Sequence, residues 1–153
     1  MPKEEVDEIR LTAWRNFITA HANLIDLIDR ELTAADRLPL HWYDVLIELV
    51  HAPENRLRMH ELAQNVVLSR SGLTRLVDKL ETAGLLRRQA SPDDRRGAFA
   101  VLTEKGKDAV RKSWPVYSKG IAKYFAAHMN KEEAKVIQDV FARILKAVQE
   151  GTL

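Results

Sequence analysis

Residues 69–103, SRSGLTRLVDKLETAGLLRRQASPDDRRGAFAVLT, determine the fold of this chain. The first half of the stretch carries apolar residues at intervals of three and four, which fall on one face of an α-helix. These residues are Leu73, Leu76, Val77 and Leu80. Ser69 is suited to cap the helix through its hydroxyl, and Gly84 is suited to end it in a left-handed conformation. The stretch therefore predicts one helix between Ser69 and Gly84.

The opposite face of this helix carries short hydroxyl side chains and arginines near its N-terminus. These residues are Ser69, Arg70, Ser71, Thr74 and Arg75. A recognition helix meets base edges in the DNA major groove with its N-terminal residues, so this face is suited to DNA. A plain amphipathic helix with a solvated polar face fits the same pattern.

A β-hairpin is predicted directly after the helix. Two short runs with apolar residues, 85–89 and 98–102, flank the turn sequence SPDD at 91–94. Asp94 can hold one neighbouring arginine in a bidentate pair, which leaves the other free to enter a minor groove. The two arginines are Arg95 and Arg96. The alternative is a solvated hairpin tip with an incidental ion pair worth at most ~1 kcal/mol.

Helix and hairpin together resemble the MarR family of winged helix-turn-helix regulators. The pattern D-x-R-G-x-x-x-x-L-T-x-x-G resembles the wing signature of that family, and it is read here as Asp94, Arg96, Gly97, Leu102, Thr103 and Gly106. The stretch LTRLVDKLETAGLLRR, residues 73–88, is similar to the family's recognition helix and first wing strand. The resemblance implies that Arg96 enters the minor groove, that Asp94 orients it and that Arg95 faces phosphate.

The distribution of charge agrees with a DNA-binding middle segment. Residues 1–36 hold four Lys/Arg and eight Asp/Glu, a net charge of −4. Residues 56–112 hold 13 Lys/Arg and seven Asp/Glu, a net charge of +6. A basic middle beside an acidic start favours docking of one face on phosphate.

Several other classes of protein are disfavoured by composition. The 153 residues contain no cysteine, which excludes disulfides and the thiol-oxidation sensing used by one branch of the resembled family. The histidines lack close metal-ligand spacing, and a phosphate-binding glycine loop and a nucleophile elbow are missing, so we expect neither an enzyme nor a cofactor. No run is long and apolar enough for a membrane, and the acidic start is not a signal peptide, so a cytoplasmic protein is expected.

The whole chain, 1–153, reads as a single domain that is mainly α with a small β-hairpin wing. Residues 39–103 form the predicted winged helix-turn-helix lobe, with helices at 42–51 and 59–66, a very short strand at 56–58 and a loop at 34–40. Helices at 7–32 and 104–128 flank the lobe, and a last helix follows the Asn130–Glu133 capping pair and ends at Gly151. Gly106, in the first turn of its helix, predicts a close backbone approach.

The helices outside the lobe, 7–33 and 104–150, carry wide apolar stripes without a core of their own. A homodimer would bury these stripes and place two recognition helices about one DNA turn, ~34 Å, apart. An inverted-repeat operator is therefore expected. An intramolecular bundle on a monomer is the alternative.

A regulator of this kind needs a signal, and a crevice between dimer helices and lobe is suited to a small phenolic or purine-like effector. The residues suited to such a ligand are aromatic or charged. They are Trp14, Phe17, His21, Trp42, Asp44, Arg75 and Arg87. The set Trp14, Asp44, Arg75 and Arg87 is similar in type and order to that of urate-responsive regulators of the resembled family. Alternatively, Trp14 and Trp42 belong to the core and Asp44 caps or pairs locally.

The sequence thus predicts a homodimeric DNA-binding regulator, most simply a repressor relieved by a small aromatic or anionic ligand. A second hypothesis is a helical adaptor whose basic lobe docks an acidic partner protein. Competition by unrelated DNA separates the two, because an adaptor is indifferent to it.

Overall fold

The computed structural model describes residues 5–66, 70–91, 93 and 97–151, with the side chain of Arg70 left out. The chain divides into two compact units, Met1–Tyr117 and Ser118–Leu153. Six α-helices and three β-strands lie within the described residues. They are α1 (Glu8–Ala34), α2 (Leu40–His51), β1 (Arg56–Arg58), α3 (Met59–Asn65), α4 (Arg70–Thr82), β2 (Leu86–Ala90), β3 (Ala98–Leu102), α5 (Glu104–Tyr124) and α6 (Lys131–Glu150). The predicted class, mainly α with a small β wing, is confirmed.

The start of α2 differs from the prediction, which placed a loop at 34–40. Pro39 is the N-cap residue, and the backbone N–H of Leu40 donates to Asp29 Oδ1 of α1 at 2.8 Å. This carboxylate satisfies an N–H that has no partner within its own helix, so α2 begins at Leu40 rather than at Trp42.

The loop before α2 is also tied to α5. The backbone N–H of Leu38 donates to Ser113 Oγ at 3.2 Å, across 75 residues of chain. Ser113 is fully buried, and it is the one buried polar side chain in the described part of the chain. The hydroxyl therefore satisfies a backbone group that the fold removes from water.

The three strands form an antiparallel sheet in the order β1–β3–β2. The register pairs Leu86 with Leu102 and Ala90 with Ala98, so the predicted strand at 98–102 is confirmed. Strand β2 begins at Leu86, one residue later than predicted, because Leu85 belongs to the end of α4: its N–H donates to Leu80 O at 2.9 Å.

Helix α4 ends as predicted at Gly84, which adopts φ +76°. The Gly84 N–H donates to Glu81 O at 2.9 Å, and with the bond from Leu85 to Leu80 this forms a Schellman motif. Leu80 and Leu85 are both buried, which supplies the hydrophobic contact typical of that motif. The chain leaves the helix in the direction of β2.

The ends of α4 and β3 and the start of α5 meet at one junction. Thr103 Oγ1 donates to Gly84 O at 2.6 Å and accepts from the Gly106 N–H at 3.0 Å, while the Thr103 N–H donates to Leu85 O at 3.2 Å. A Cβ on Gly106 would lie 2.0 Å from Leu85 O. The predicted close backbone approach at Gly106 is therefore confirmed, and its partner is the Leu85 carbonyl.

One hydrophobic core holds the first unit together. It combines residues of α2, α3, α4, the sheet and α5. Its most buried members include Val45, Leu46, Leu49, Leu62, Leu73, Val77, Leu80, Leu86 and Ala100. All four apolar residues predicted for one face of α4 lie in it.

In the second unit, α5 ends at Tyr124 instead of continuing to His128 as predicted. A 3-10 turn, Ala126–His128, follows, in which the His128 N–H donates to Phe125 O at 3.2 Å. The turn brings the chain to the extended Asn130, whose Oδ1 accepts from the Glu133 N–H at 2.8 Å while Glu133 Oε2 accepts from the Asn130 N–H at 2.9 Å. The predicted capping pair and the left-handed Gly151 (φ +64°) are confirmed.

Replacement of Gly106 tests the junction. We expect Gly106→Ala to lower the free energy of unfolding by about 1–3 kcal/mol, because its Cβ meets backbone and the overlap outweighs the gain in helix propensity. Lys107→Ala, on the exposed side of the same turn, is the matched control and should be nearly neutral. Urea denaturation measures both, and equal stability of the two variants would contradict the close approach.

Candidate nucleic-acid interface

The N-terminal half of α4 presents the polar face predicted from the sequence. Ser71, Thr74 and Arg75 are exposed, opposite the buried Leu73 and Val77. Arg70 opens the helix, and Ser69, the predicted cap, lies outside the described residues. The helix therefore offers short hydroxyls and an arginine on an exposed stripe that fits the major groove.

The hairpin extends from the same lobe. Beyond the paired strands, the Ser91 N–H donates to Gly97 O at 3.4 Å, which continues the ladder towards the tip. Asp94, Arg95 and Arg96 lie outside the described residues, so their roles on DNA stay predictions.

Arg88 connects β2 to the recognition helix, which the sequence reasoning missed. Its guanidinium donates to Asp78 Oδ1 at 2.5 Å and to Glu81 Oε1 at 3.0 Å, and its backbone N–H donates to Glu81 Oε2 at 2.8 Å. Partial burial acts to lower the pKa of Arg88, but the bonds to Asp78 and Glu81 outweigh it and raise that pKa. The available signal was an Asp and a Glu three residues apart on a helix, followed by Arg88 on the next strand.

The outer face of the sheet is basic, which the sequence reasoning also missed. Arg56 and Arg58 lie with their Cζ atoms 4.5 and 4.7 Å from the centroid of the Phe99 ring. Arg87 shares this face because it pairs with Val101, as Arg56 does. The signal was the R-x-R pattern of β1, since alternate residues of a strand point to one face.

Three of the predicted effector residues lie together on α1. The ring centroids of Trp14 and Phe17 are 6.0 Å apart, and those of Phe17 and His21 are 6.2 Å apart. Trp14 is 57% exposed, so the alternative that placed it in the core is wrong within the described chain. These rings form an aromatic surface on one face of α1.

Trp42 and Asp44 line two separate cavities of the first unit. Trp42 packs partly on the core and borders a cleft of about 430 Å³ that also contains Arg37, Lys105 and Lys112. Asp44 borders another cavity, of about 300 Å³, lined by His41, Val45, Ile47, Glu48, Asn65 and Val66. Arg75 and Arg87 line neither of these two cavities, and the role of the predicted effector set stays a prediction.

Asp44 is exposed on α2, but its neighbours partly displace water from its carboxylate. Loss of hydration raises the pKa of Asp44; His41 partly opposes the rise, and Glu48 adds a smaller contribution to it. Burial is the main cause that raises the pKa of Tyr43 and of Tyr117, whose rings meet edge to face at 5.1 Å. Tyr117 and then Asp44 add to the rise at Tyr43, and Asp44 adds to it at Tyr117. A perturbed acid beside a cavity is a candidate functional group.

Two further features bear on the kind of protein. The helices of the described segments lack the combination of length and apolar character that a bilayer span requires. Among the described residues, no three His, Asp or Glu side chains group in a way that could hold a metal ion.

A three-stranded wing beside a helix with an exposed polar N-terminal face defines a winged helix-turn-helix transcriptional regulator. The sequence profile of the MarR family matches residues 38–97, which include α2, α3, α4 and strand β2 of the lobe. The HTH-type transcriptional regulator MhqR of Bacillus subtilis is 31% identical over 102 residues, or 67% of this chain and 68% of that protein. The chain belongs to the MarR family, whose members are transcriptional regulators and not enzymes.

Two further comparisons describe how far the similarity extends. An uncharacterized HTH-type regulator of B. subtilis, YkoM, is 30% identical over 80 residues; the match spans about half of each protein, 52% of both. The crystal structure of Sco3205, a MarR family transcriptional regulator from Streptomyces coelicolor in complex with DNA, superimposes with a TM-score of 0.85. That pair is 31% identical, and the match covers 94% of this chain and 89% of Sco3205.

Asp44 gives a test of the cavity electrostatics. We expect Asp44→Asn to raise the free energy of unfolding at pH 7 by less than about 1 kcal/mol, because the charge is disfavoured but partly screened by water. Because the pKa of Asp44 is higher in the folded state, the parent chain is destabilised by this charge only where Asp44 is ionised. The gain in free energy of unfolding from Asp44→Asn is therefore complete above the folded-state pKa and vanishes as pH falls below the ordinary value of 3.8. Denaturant titrations from pH 3 to 8 measure it. Asp26→Asn, which breaks an exposed pair with Arg30, is the control, and a gain that persists at pH 3 would contradict the assignment.

Proposed function

We propose that this chain is a homodimeric repressor that binds an inverted-repeat operator in the cytoplasm. Residues 39–103 act as the DNA-binding lobe, and residues 7–33 and 104–150 act as the dimerisation helices. The observation that carries the proposal is the exposed face of α4, where Ser71, Thr74 and Arg75 stand on the same lobe as the wing. The DNA complex of the related Sco3205 supports duplex DNA as the partner.

On this proposal, α4 enters the major groove and the wing reaches the adjacent minor groove. Ser69, Arg70, Ser71, Thr74 and Arg75 contact bases or phosphates. At the tip, Asp94 orients Arg96 towards the minor groove while Arg95 faces phosphate. The net charge of +6 over residues 56–112 gives the docking face the sign that DNA requires.

Dimerisation is supported by apolar side chains that stay exposed in each unit. In α1 these include Ile9, at 83% exposure, and Trp14. In α6 they recur at helical spacing. They are Val136, Val140, Ile144, Leu145 and Val148. Exposed apolar area on this scale is typical of protein contact surfaces.

Relief of repression by a small aromatic or anionic ligand completes the proposal. The aromatic surface of Trp14, Phe17 and His21 and the cleft beside Trp42 supply flat apolar contacts. Asp44, with Arg75 or Arg87, would supply polar contacts once a second copy of the chain completes the crevice. Phenolic acids and purines are the classes to screen.

The wing assignment is tested by Arg96→Ala. Loss of one minor-groove contact should weaken binding to the duplex upstream of this protein's own coding region by about 10- to 100-fold. Fluorescence anisotropy in excess unrelated duplex measures the affinity. Arg30→Ala on α1 is the matched control and should bind like the parent chain.

The same titration repeated across salt concentrations separates DNA binding from the adaptor hypothesis. Log affinity should fall with log salt by roughly 0.9 per phosphate contacted. A flat salt dependence, or binding abolished by the unrelated duplex, contradicts a specific DNA interface. No binding at low salt favours the adaptor.

Dimerisation is tested by Ile144→Glu, which places a charge on the exposed apolar stripe of α6. Sedimentation equilibrium should give about twice the chain mass of 17.5 kDa for the parent protein and a mass near 17.5 kDa for the variant. Ala142→Glu adds the same charge on another face of the helix and should leave the dimer intact. A monomeric parent chain would contradict the proposal.

A further inference from the structure

Asp78, Glu81 and Arg88 form a compact ionic cluster between α4 and β2, which we call the brace. We propose that the brace is a positioning element that fixes the wing against the recognition helix, so that both engage one DNA duplex. This inference rests on the proposed function, because it assigns the two contacts to α4 and to the wing.

The contacts of the brace hold β2 at two points. Glu81 accepts from the backbone N–H of Arg88 at 2.8 Å and from its guanidinium at 3.0 Å, so one carboxylate binds the strand and its side chain. Asp78 accepts from the guanidinium at 2.5 Å, one helical turn closer to the exposed N-terminal face. Two anchors on one helix fix the direction of a strand as well as its position.

The position of Arg88 within the sheet makes this constraint effective. β2 is an edge strand and pairs with β3, where Arg88 lies opposite Ala100. The Arg88 side chain is only 29% exposed, while those of Asp78 and Glu81 are 60% and 40% exposed. A guanidinium with restricted freedom between two carboxylates keeps its geometry better than a free surface pair.

Electrostatic attraction to DNA does not explain why Asp78 and Glu81 are acidic. Asp78 follows Ser71 and Thr74 along the exposed stripe of α4, so its charge would repel phosphate. Asp78 and Glu81 also lie in the C-terminal half of the helix, where the macrodipole disfavours negative charge. Two acids in this place oppose DNA attraction, which is consistent with a role in holding Arg88.

The variant Glu81→Gln separates positioning from attraction because the two predict opposite signs. Glutamine keeps an acceptor for the Arg88 N–H but removes a negative charge from the DNA-facing lobe. Simple attraction predicts tighter operator binding, whereas the brace predicts weaker binding by about tenfold with unchanged binding to unrelated duplex. Asp36→Asn also removes one exposed carboxylate, in the loop before α2 and outside the lobe and the dimerisation helices, and should weaken binding to neither duplex.

A double-mutant cycle with Arg96→Ala tests whether the brace acts through the wing. If the brace positions the wing, Glu81→Gln should cost little further affinity in a chain that already carries Arg96→Ala. In the single Glu81→Gln variant, the slope of log affinity against log salt concentration should become shallower by about one. Arg88→Lys, which keeps the charge but not the forked contacts, should reproduce the effect. Thermal melting confirms that each variant is folded at the assay temperature.

The outcomes separate this inference from the proposed function. Weaker specific binding with a non-additive cycle supports the brace. Tighter or unchanged binding by folded Glu81→Gln and Arg88→Lys, or full additivity with Arg96→Ala, overturns it and leaves the DNA-binding proposal intact. Failure of the parent chain to bind overturns the proposed function itself, whereas an Arg96→Ala variant with full affinity overturns its wing assignment and, with it, the inference about the brace.

Discussion

The carbonyl of Leu85 is the group on which the lobe depends. It accepts the N–H of Thr103 and faces Gly106 so closely that a side chain there would overlap it. Thr103 in turn binds the carbonyl of Gly84 and caps α5. Because this contact joins the end of α4, the end of β3 and the start of α5, it sets where the recognition helix stops and where the wing returns.

The junction and the brace hold the same hairpin strand at two different points. The junction holds the start of β2 through uncharged backbone groups and through Gly106, which has no side chain to overlap the Leu85 carbonyl. Because these contacts carry no ionisable group, we expect the junction to be insensitive to salt and pH. The brace holds the middle of β2 through charged side chains that are partly exposed. The start of β2 is therefore fixed by backbone contacts and packing, and the middle of β2 by ionic contacts, which water and salt weaken.

Much of the fold follows from local signals in the sequence. Two kinds of local signal were sufficient. The Asn130 capping pair and strand β3 depend on residues close together in the chain, and the helix end at Gly84 and the close approach at Gly106 each depend on a single glycine. The start of α2 was not predictable, because Asp29 acts on it from another helix that it meets only in the folded chain. The brace left a local signal in Asp78, Glu81 and Arg88, but the sequence alone does not show that the strand returns over these two carboxylates. The predicted effector residues show the same limit, since Trp42 and Asp44 are near in sequence but line different cavities.

The buried bond from Leu38 to Ser113 makes one backbone amide of the first unit a reporter of local opening. The Leu38 amide is held by a hydroxyl with no exposure to water, so its proton can exchange with solvent only when the loop before α2 separates from α5. Each separation is thus recorded as deuterium at one backbone position. Amide exchange at Leu38 accordingly measures how often this part of the protein opens.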